Sequence, residues 1–191
     1  MIRSGTTIGR RRWERDRTSF HRRYEHRYRG RGAHGAAAEP VPALRARFYD
    51  HWAGTARGDL DARGLFPDHP FTPFWTDPAC EALLLRIDDA PAGFALIGRH
   101  GHCCQPVDGN IAEFFVTRKY RRSGVGTHFA HAVLERRPGI WEAAIARRNI
   151  GALAFWRAVV RICPRAGTAE EANIASPEWN GPVLRFVIRP V

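Results

Sequence analysis

The chain has 191 residues, 44% of them hydrophobic, which is enough for one domain with a real core and short for two. No apolar stretch approaches the roughly 18–20 residues of a membrane-spanning helix, and no secretory segment follows Met1. We therefore expect no membrane partner. The net charge of +11 is typical of nucleic-acid-binding proteins, but the distribution of that charge along the chain matters more than its total.

The positive charge is concentrated in residues 1–38, where eleven arginines and three acidic residues give a net charge of +8. This segment is poor in aliphatic residues and ends in glycines and alanines, which predicts a disordered tail before a domain at 39–191. Arginines interleaved with Trp13 and Tyr24 could hold nucleic acid, so a nucleic-acid-binding module is one alternative function. However, arginine makes up 29 of the 30 basic residues. GC-rich coding, or a start site assigned too far upstream, explains that bias equally well, and nucleic acid is the less favoured partner.

The predicted elements after the tail begin with a helix at 44–52 and a structured loop at 54–81. Two strands at 82–87 and 92–97 follow, joined by a hairpin turn. The later elements are a strand, a helix, a strand, a helix and a strand, at 111–116, 125–136, 140–146, 150–160 and 183–188. This succession predicts an α/β fold with one parallel step, and the strand at 111–116 is apolar enough to be covered on both faces.

The four cysteines contain no C-x-x-C pair, which predicts reduced thiols and a cytoplasmic protein. His100, His102, Cys103 and Cys104 lie together in one loop, but no second ligand pair stands at zinc-finger spacing. We therefore predict no metal.

The segment 117–126 carries the strongest chemical signal. It follows a strand, is rich in glycine, serine and arginine, and precedes a helix, so free backbone N–H groups and the helix dipole would form an anion site. Gly124 and Gly126 would let a phosphate approach the backbone, and Arg118, Arg121 and Arg122 would supply positive charge. The spacing fits neither a P-loop nor a dinucleotide fingerprint.

Two motifs resemble the signatures of the GNAT N-acetyltransferase superfamily. Arg121-Arg-Ser-Gly124-Val-Gly126 is similar to its acetyl-CoA motif, Q/R-x-x-G-x-G/A, and Asn149-Ile-Gly-Ala152-Leu-Ala-Phe155-Trp156 to its second motif, N-x-x-A-x-x-F-Y. The resemblance covers residues 43–189. It implies an α/β (α+β) fold in which helices flank a mixed, centrally splayed sheet, with acetyl-CoA between two parallel strands, here 111–116 and 140–146.

The resemblance also implies contacts with acetyl-CoA. The backbone of Phe114, Phe115 and Val116 would pair with the pantetheine, and Asn149 would hydrogen-bond it. Phe155 would pack beside the cofactor, or else be an ordinary core residue. The pyrophosphate would be held by the backbone amides of the loop and helix start, namely those of Arg122, Ser123, Gly124, Val125, Gly126 and Thr127, and Arg121 would supply charge.

In the implied reaction, an amine attacks the thioester while the amide of Val116 or a neighbour polarises the carbonyl oxygen. Glu113 is the candidate catalytic base, because it is the ionisable residue on an otherwise apolar strand, where burial would raise its pKa. An arginine on the opposite face could instead pair with it. Glu142 on the neighbouring predicted strand is the second candidate.

The chain departs from the family pattern at two places. Trp156 stands where many members have a tyrosine that protonates the departing thiolate, and an indole N–H is not a usable acid. Water would then protonate the thiolate, whose pKa is near 8.5, or the chain is a non-catalytic CoA-binding homologue. In addition, residues 27–42 do not resemble the first strand of the family.

The amine substrate is not encoded in any motif of the sequence. By resemblance, segment 66–75 and loop 98–110 border its side of the cleft. Many members of the superfamily are dimers, so the resemblance leaves a homodimer open.

Overall fold

The computed structural model describes residues 73–88, 90–103 and 105–191. The predicted tail at 1–38, the helix at 44–52, most of the loop at 54–81 and the region 27–42 lie outside the described residues.

The described chain begins with a short helix and three strands, continues with helix, strand and helix, and ends with two strands. Its helices are α1 (Pro73–Thr76), α2 (Val125–Leu134) and α3 (Ile150–Ile162), with a short 3-10 turn at Arg118–Tyr120. Its strands are β1 (Glu81–Ile87), β2 (Ala90–Gly98), β3 (Gly109–Val116), β4 (Gly139–Ala144), β5 (Glu170–Ala175) and β6 (Asn180–Ile188).

The strands that are described form one six-stranded sheet in the order β1-β2-β3-β4-β6-β5. The β3–β4 pair is parallel and the other neighbours are antiparallel. The mixed sheet with flanking helices confirms the predicted fold class, and the parallel step falls where the sequence predicted it, between 111–116 and 140–146.

Three predictions about individual elements were wrong. The sequence analysis missed β5, because this edge strand is almost entirely exposed and lacks an apolar alternation. Strand β4 ends at Ala144, because its ladder with β6 ends there, and not at residue 146. Strand β3 is not covered along both faces: Ala112 is exposed, and Glu113 and Phe114 are half-buried.

The core lies on both faces of the sheet. On one face, the stripe Val125, Phe129 and Val133 of α2 packs with α3 against residues such as the fully buried Trp141. Burying such a side chain contributes roughly 1.5–3 kcal/mol. The other face carries a smaller cluster built from β1, β2 and β3, with Phe94 and Phe115 at its centre.

A register shift in the β2–β3 ladder decides which side chains of β3 face the helices. Leu96 pairs with Glu113 and Ile97 with Ile111, so Ala112 is an extra residue with no partner on β2. Because side chains alternate along a strand, this bulge reverses the alternation, and Phe114 joins Ile111 on the helical face. An aromatic ring is thereby placed beneath α2 and α3.

None of the helices described is long and apolar enough to cross a membrane.

Candidate active site

The parallel strands β3 and β4 separate in the middle of the sheet. They pair only over Gly109–Ile111 and Trp141–Ala143. Beyond this point a cleft of about 860 Å³ opens between the end of β3 and the starts of α2 and α3. A splayed parallel pair with two helix starts beside it is the arrangement that the sequence predicted for the cofactor.

Ten of the twelve predicted cofactor residues line this cleft. They are Phe114, Phe115, Val116, Arg121, Arg122, Gly124, Gly126, Thr127, Asn149 and Phe155.

The side chains of the other two predicted residues point elsewhere, although the prediction concerned their backbone amides. The hydroxyl of Ser123 donates to the carbonyl of Tyr120 at 2.8 Å, and the side chain of Val125 is buried in the core. Four lining residues were not predicted: Arg148, Gly151, Ala152 and Trp156. Ala152 and Trp156 are positions of the second motif itself, Gly151 lies within the motif on the first turn of α3, and Arg148 directly precedes the motif. Their closeness to the motif was the signal available in the sequence.

The loop before α2 holds a backbone conformation suited to anions. Arg122 and Gly124 have φ values of 62° and 87°, and no side chain caps the first turn of α2. The N–H groups of that turn therefore face the cleft together with the positive end of the helix dipole. A Cβ on Gly126 would lie 3.4 Å from the ring of Phe155, so this glycine keeps the passage between the two helices open.

The arginines of the loop have different partners. The Nε of Arg121 donates to the carbonyl of Val116 at 2.7 Å, and its guanidinium lies 5.3 Å from the ring centre of Phe115. Burial and the neighbouring Arg118 lower the pKa of Arg121. Arg121 thus ties the loop to the end of β3. Arg122 and Arg148 also line the cleft, whereas no acidic residue of the described chain does.

The start of α3 is capped by a side chain. The Oδ1 of Asn149 accepts a hydrogen bond from the N–H of Ala152 at 3.0 Å. The Nδ2 is therefore the group through which Asn149 can donate to a ligand in the cleft.

Four aromatic rings pack together at the inner side of the cleft, and three of them, those of Phe114, Phe155 and Trp156, line it. The ring of Phe114 lies 5.2 Å from that of Phe129, 5.6 Å from that of Phe155 and 5.2 Å from that of Trp156. Phe155 is therefore both a packing residue and a lining residue, which joins the two interpretations that the sequence left open.

The two candidate bases lie on the face of the sheet away from α2 and α3. Glu113 is half-buried opposite Leu96, two residues before Phe115 on the same face. Glu142 is fully buried, forms an ion pair with Arg185 through Oε1, and accepts a hydrogen bond at Oε2 from the N–H of His102 at 2.7 Å. Both oxygens of Glu142 are therefore engaged in the described structure.

Metal-ligating side chains do not converge at the cleft. Among the residues described, no three His, Cys, Asp or Glu side chains lie close enough together to hold a metal ion.

The acetyltransferase (GNAT) family model matches residues 45–159, which is more than half of the chain. The chain therefore belongs to the GNAT acetyltransferase family. A sequence comparison with curated proteins finds no significant match.

Comparison with solved structures shows the same fold. A GNAT-family acetyltransferase from Staphylococcus aureus superposes with a TM-score of 0.54 at 9% identity, covering 87% of this chain and 99% of that one. A spermidine N-acetyltransferase chimera from Vibrio cholerae and hSSAT gives a TM-score of 0.48 at 10% identity, covering 87% of this chain and 95% of that one. An acetyltransferase from Thermus thermophilus gives 0.44 at 15%, covering 61% and 67%.

Proposed function

We propose that this protein is an N-acetyltransferase that moves the acetyl group of acetyl-CoA to a primary amine by direct attack. The observation that carries the proposal is the cleft where β3 and β4 separate, because it combines an open strand edge with an uncapped helix start. The open edge of β3 suits an extended amide-containing chain, and the helix start suits a pyrophosphate.

Each part of the acetyl donor has a matching group in the cleft. The backbone of Phe114–Val116 would pair with the pantetheine amides, and the Nδ2 of Asn149 would donate to them. The N–H groups of the loop and first turn of α2, with Arg122 and Arg148, would hold the phosphates. The cleft supports this assignment because its described lining is basic at the loops and aromatic at the inner wall.

The thioester supplies an activated acyl group, and the protein supplies a base and a hydrogen-bond donor. Glu113 would accept the proton of the attacking amine, directly or through water, as the N–C bond forms. The N–H of Val116 or a neighbour would stabilise the negative charge on the carbonyl oxygen while the C–S bond breaks. Water would then protonate the thiolate, since Trp156 stands in the cleft where an acid would be needed.

Calorimetric titration of acetyl-CoA into the full chain tests the cofactor site. We expect a dissociation constant in the micromolar range, about −8 kcal/mol. No heat of binding from a folded protein would overturn the proposal.

Glu113→Gln tests the base. We expect kcat to fall by about 100-fold near neutral pH and to recover partly at alkaline pH, where more of the amine is already neutral. The matched control is Glu171→Gln, which removes a carboxylate that pairs with Arg157 on the helical face and should leave kcat unchanged. Equal pH profiles for Glu113→Gln and the unmodified protein would show that the base assignment is wrong.

Trp156 also favours one alternative, a homologue that binds CoA without catalysis. Thiol release from acetyl-CoA in the presence of amines separates the two functions, because only the enzyme releases CoA.

We also propose a cytoplasmic location. The cysteines that the structure describes, Cys80, Cys103 and Cys163, form no disulfide, and burial raises the pKa of the Cys163 thiol, which keeps it unreactive. A homodimer remains part of the proposal, to be checked by light scattering.

A further inference from the structure

The lining of the cleft changes in character with depth. Along α3 it runs from Arg148 and Asn149, where the helix begins, to Trp156, the last residue of this helix that lines the cleft. Trp156 lies about two turns, or roughly 10 Å, beyond Asn149 at a rise of 1.5 Å per residue. The cleft is therefore charged and polar at the helix starts and aromatic at its inner end.

This gradient sets the direction in which an acyl donor would lie. An acyl-CoA carries its phosphates at one end of the pantetheine chain and its acyl group at the other. The uncapped first turn of α2 and Arg122 attract the phosphates. The thioester then points to the inner end, where the rings of Phe114 and Trp156 lie 5.2 Å apart between their centres.

The rings at the inner end hold one another in place. Trp156 meets Phe114 and Phe155 edge to face, at interplanar angles of 72° and 74°. Phe114 is backed by Phe129 of α2, which is fully buried and whose ring centre lies 5.2 Å away. Rings at these separations are in contact, so a ligand that pushes one of them aside displaces its neighbours as well.

Trp156 also separates the cleft from the core. It is only 5% exposed, and Val159 and Val160, on the following turn of α3, are buried in the same cluster. A short acyl group would rest against the rings, whereas each further methylene would have to displace packed side chains. Such overpacking is unfavourable in a closely packed interior.

We infer that Trp156, together with Phe114, sets the size of the acyl group and restricts the donor to acetyl-CoA, excluding butyryl-CoA and longer acyl thioesters. The inference rests on the proposed use of an acyl-CoA donor and adds the residues that select the acyl group. It also accounts for the departure from the family pattern at Trp156, because the indole supplies bulk at a position where it supplies no acid.

The first test needs no variant and no acceptor. Calorimetry on the full chain compares CoA, acetyl-CoA and butyryl-CoA, which share the nucleotide and the pantetheine. We expect butyryl-CoA to bind at least about tenfold more weakly than acetyl-CoA, since a single methylene in a closely fitting pocket changes recognition by about 10–200-fold. Equal affinities for the two thioesters would overturn the inference. A folded chain that binds none of the three ligands would overturn the proposed function instead.

The second test changes two adjacent aromatic residues. Trp156→Phe keeps an aromatic ring and opens space beside Phe114, so butyryl-CoA should bind within about threefold of acetyl-CoA while the affinity for CoA stays the same. Phe155→Leu is the matched control, because the ring of Phe155 lies against Gly126 at the start of α2. It should weaken all three ligands alike and keep the preference for acetyl-CoA. An equal change of preference in both variants would show that Trp156 does not set the size of the acyl group.

Phe114→Leu enlarges the inner end from the strand side, and CoA binding reports whether each variant still folds. This variant should reduce the preference for acetyl-CoA in the same direction as Trp156→Phe. If the variants that bind CoA prefer acetyl-CoA as strongly as the unmodified chain does, the inference is wrong.

Discussion

Helices α2 and α3 both begin at the cleft, but their first turns are satisfied in different ways. The first turn of α3 is capped by Asn149, whereas α2 begins at Gly124 in a left-handed conformation with no side-chain cap. In a capped first turn, a side chain accepts a hydrogen bond from one of the backbone N–H groups that have no partner within the helix. In an uncapped first turn, these N–H groups stay available for a ligand. The difference shows how one cleft can hold an anion at one helix and a neutral chain at the other.

Exchanging glycine for alanine at the two helix starts should give the largest contrast. Gly124→Ala places a Cβ at a φ of 87° and should cost about 1 kcal/mol of stability and about tenfold in acetyl-CoA affinity, because the loop can no longer present its N–H groups. Gly151→Ala is the matched control: a Cβ there meets only Asn149 at 4.0 Å, and α3 should become more stable. Thermal unfolding and calorimetry measure both. Equal losses of affinity would remove the contrast between the helices.

Asn149 allows capping and ligand binding to be separated. Asn149→Ala should lower the free energy of unfolding by about 1 kcal/mol because the N–H of Ala152 loses its partner. Asn149→Asp keeps the accepting oxygen and loses the donating amide, so stability should hold while acetyl-CoA affinity falls. An aspartate variant that binds acetyl-CoA as well as the unmodified protein would contradict the proposed role of the Nδ2.

The arginines at the two loops should each have a smaller effect. Arg122→Gln and Arg148→Gln should weaken acetyl-CoA binding by about threefold each and make it less sensitive to salt. Arg118→Gln removes the same charge from an exposed position that does not line the cleft and should change the affinity least. If all three variants behave alike, the effect comes from net charge and not from the position of the arginines.

The contact that joins the two helices lies outside the cleft lining, so its loss should change acetyl-CoA binding least. The buried His131 of α2 bonds through Nε2 to the carbonyl of Val159 in α3 at 3.0 Å. Burial lowers its pKa, although the bond to Val159 opposes this. A lowered folded-state pKa means that the unfolded chain binds the proton more tightly. The stabilisation is therefore complete above the unfolded value of about 6.5 and is lost as the pH falls below it.

Denaturant unfolding at several pH values tests the role of His131. His131→Leu should flatten the decline in stability on acidification and cost about 1 kcal/mol at pH 7.5 through the lost hydrogen bond. His128→Gln, in the same helix, is the control and should keep most of the decline. An unchanged decline in His131→Leu would assign the pH dependence to other groups.

The sequence predicted the parts of the fold that have a local pattern. The glycine turn at Gly124, the stripe from Val125 to Val133 and the second motif at Asn149 all mark structure within a few residues, and these elements were found. Strand β5 has no such pattern, because Glu170–Ala175 becomes a strand only by pairing with β6. The β-propensity of single residues does not predict a strand that forms only because a neighbouring strand pairs with it.

The candidate site was predictable to the same extent. The motif marked the backbone amide of Val125 as a cofactor contact, and the apolar stripe placed its side chain in the core. Arg148 and Gly151 were missed because neither occupies a fixed position of the second motif, and only the folded chain shows that they line the cleft. The ion pair between Glu142 and Arg185 was hidden because the two residues lie far apart in the sequence.

Strand β3 turns an open edge toward the inside of the molecule. Exposed edges of sheets attract other strands and promote aggregation, and proteins usually protect them at the rim. Here the edge after Ile111 lies in the middle of the sheet, between two helix starts and a wall of aromatic rings. A second protein strand would have to enter between these elements before it could pair with that edge. The edge is thus protected from aggregation by its position within the molecule.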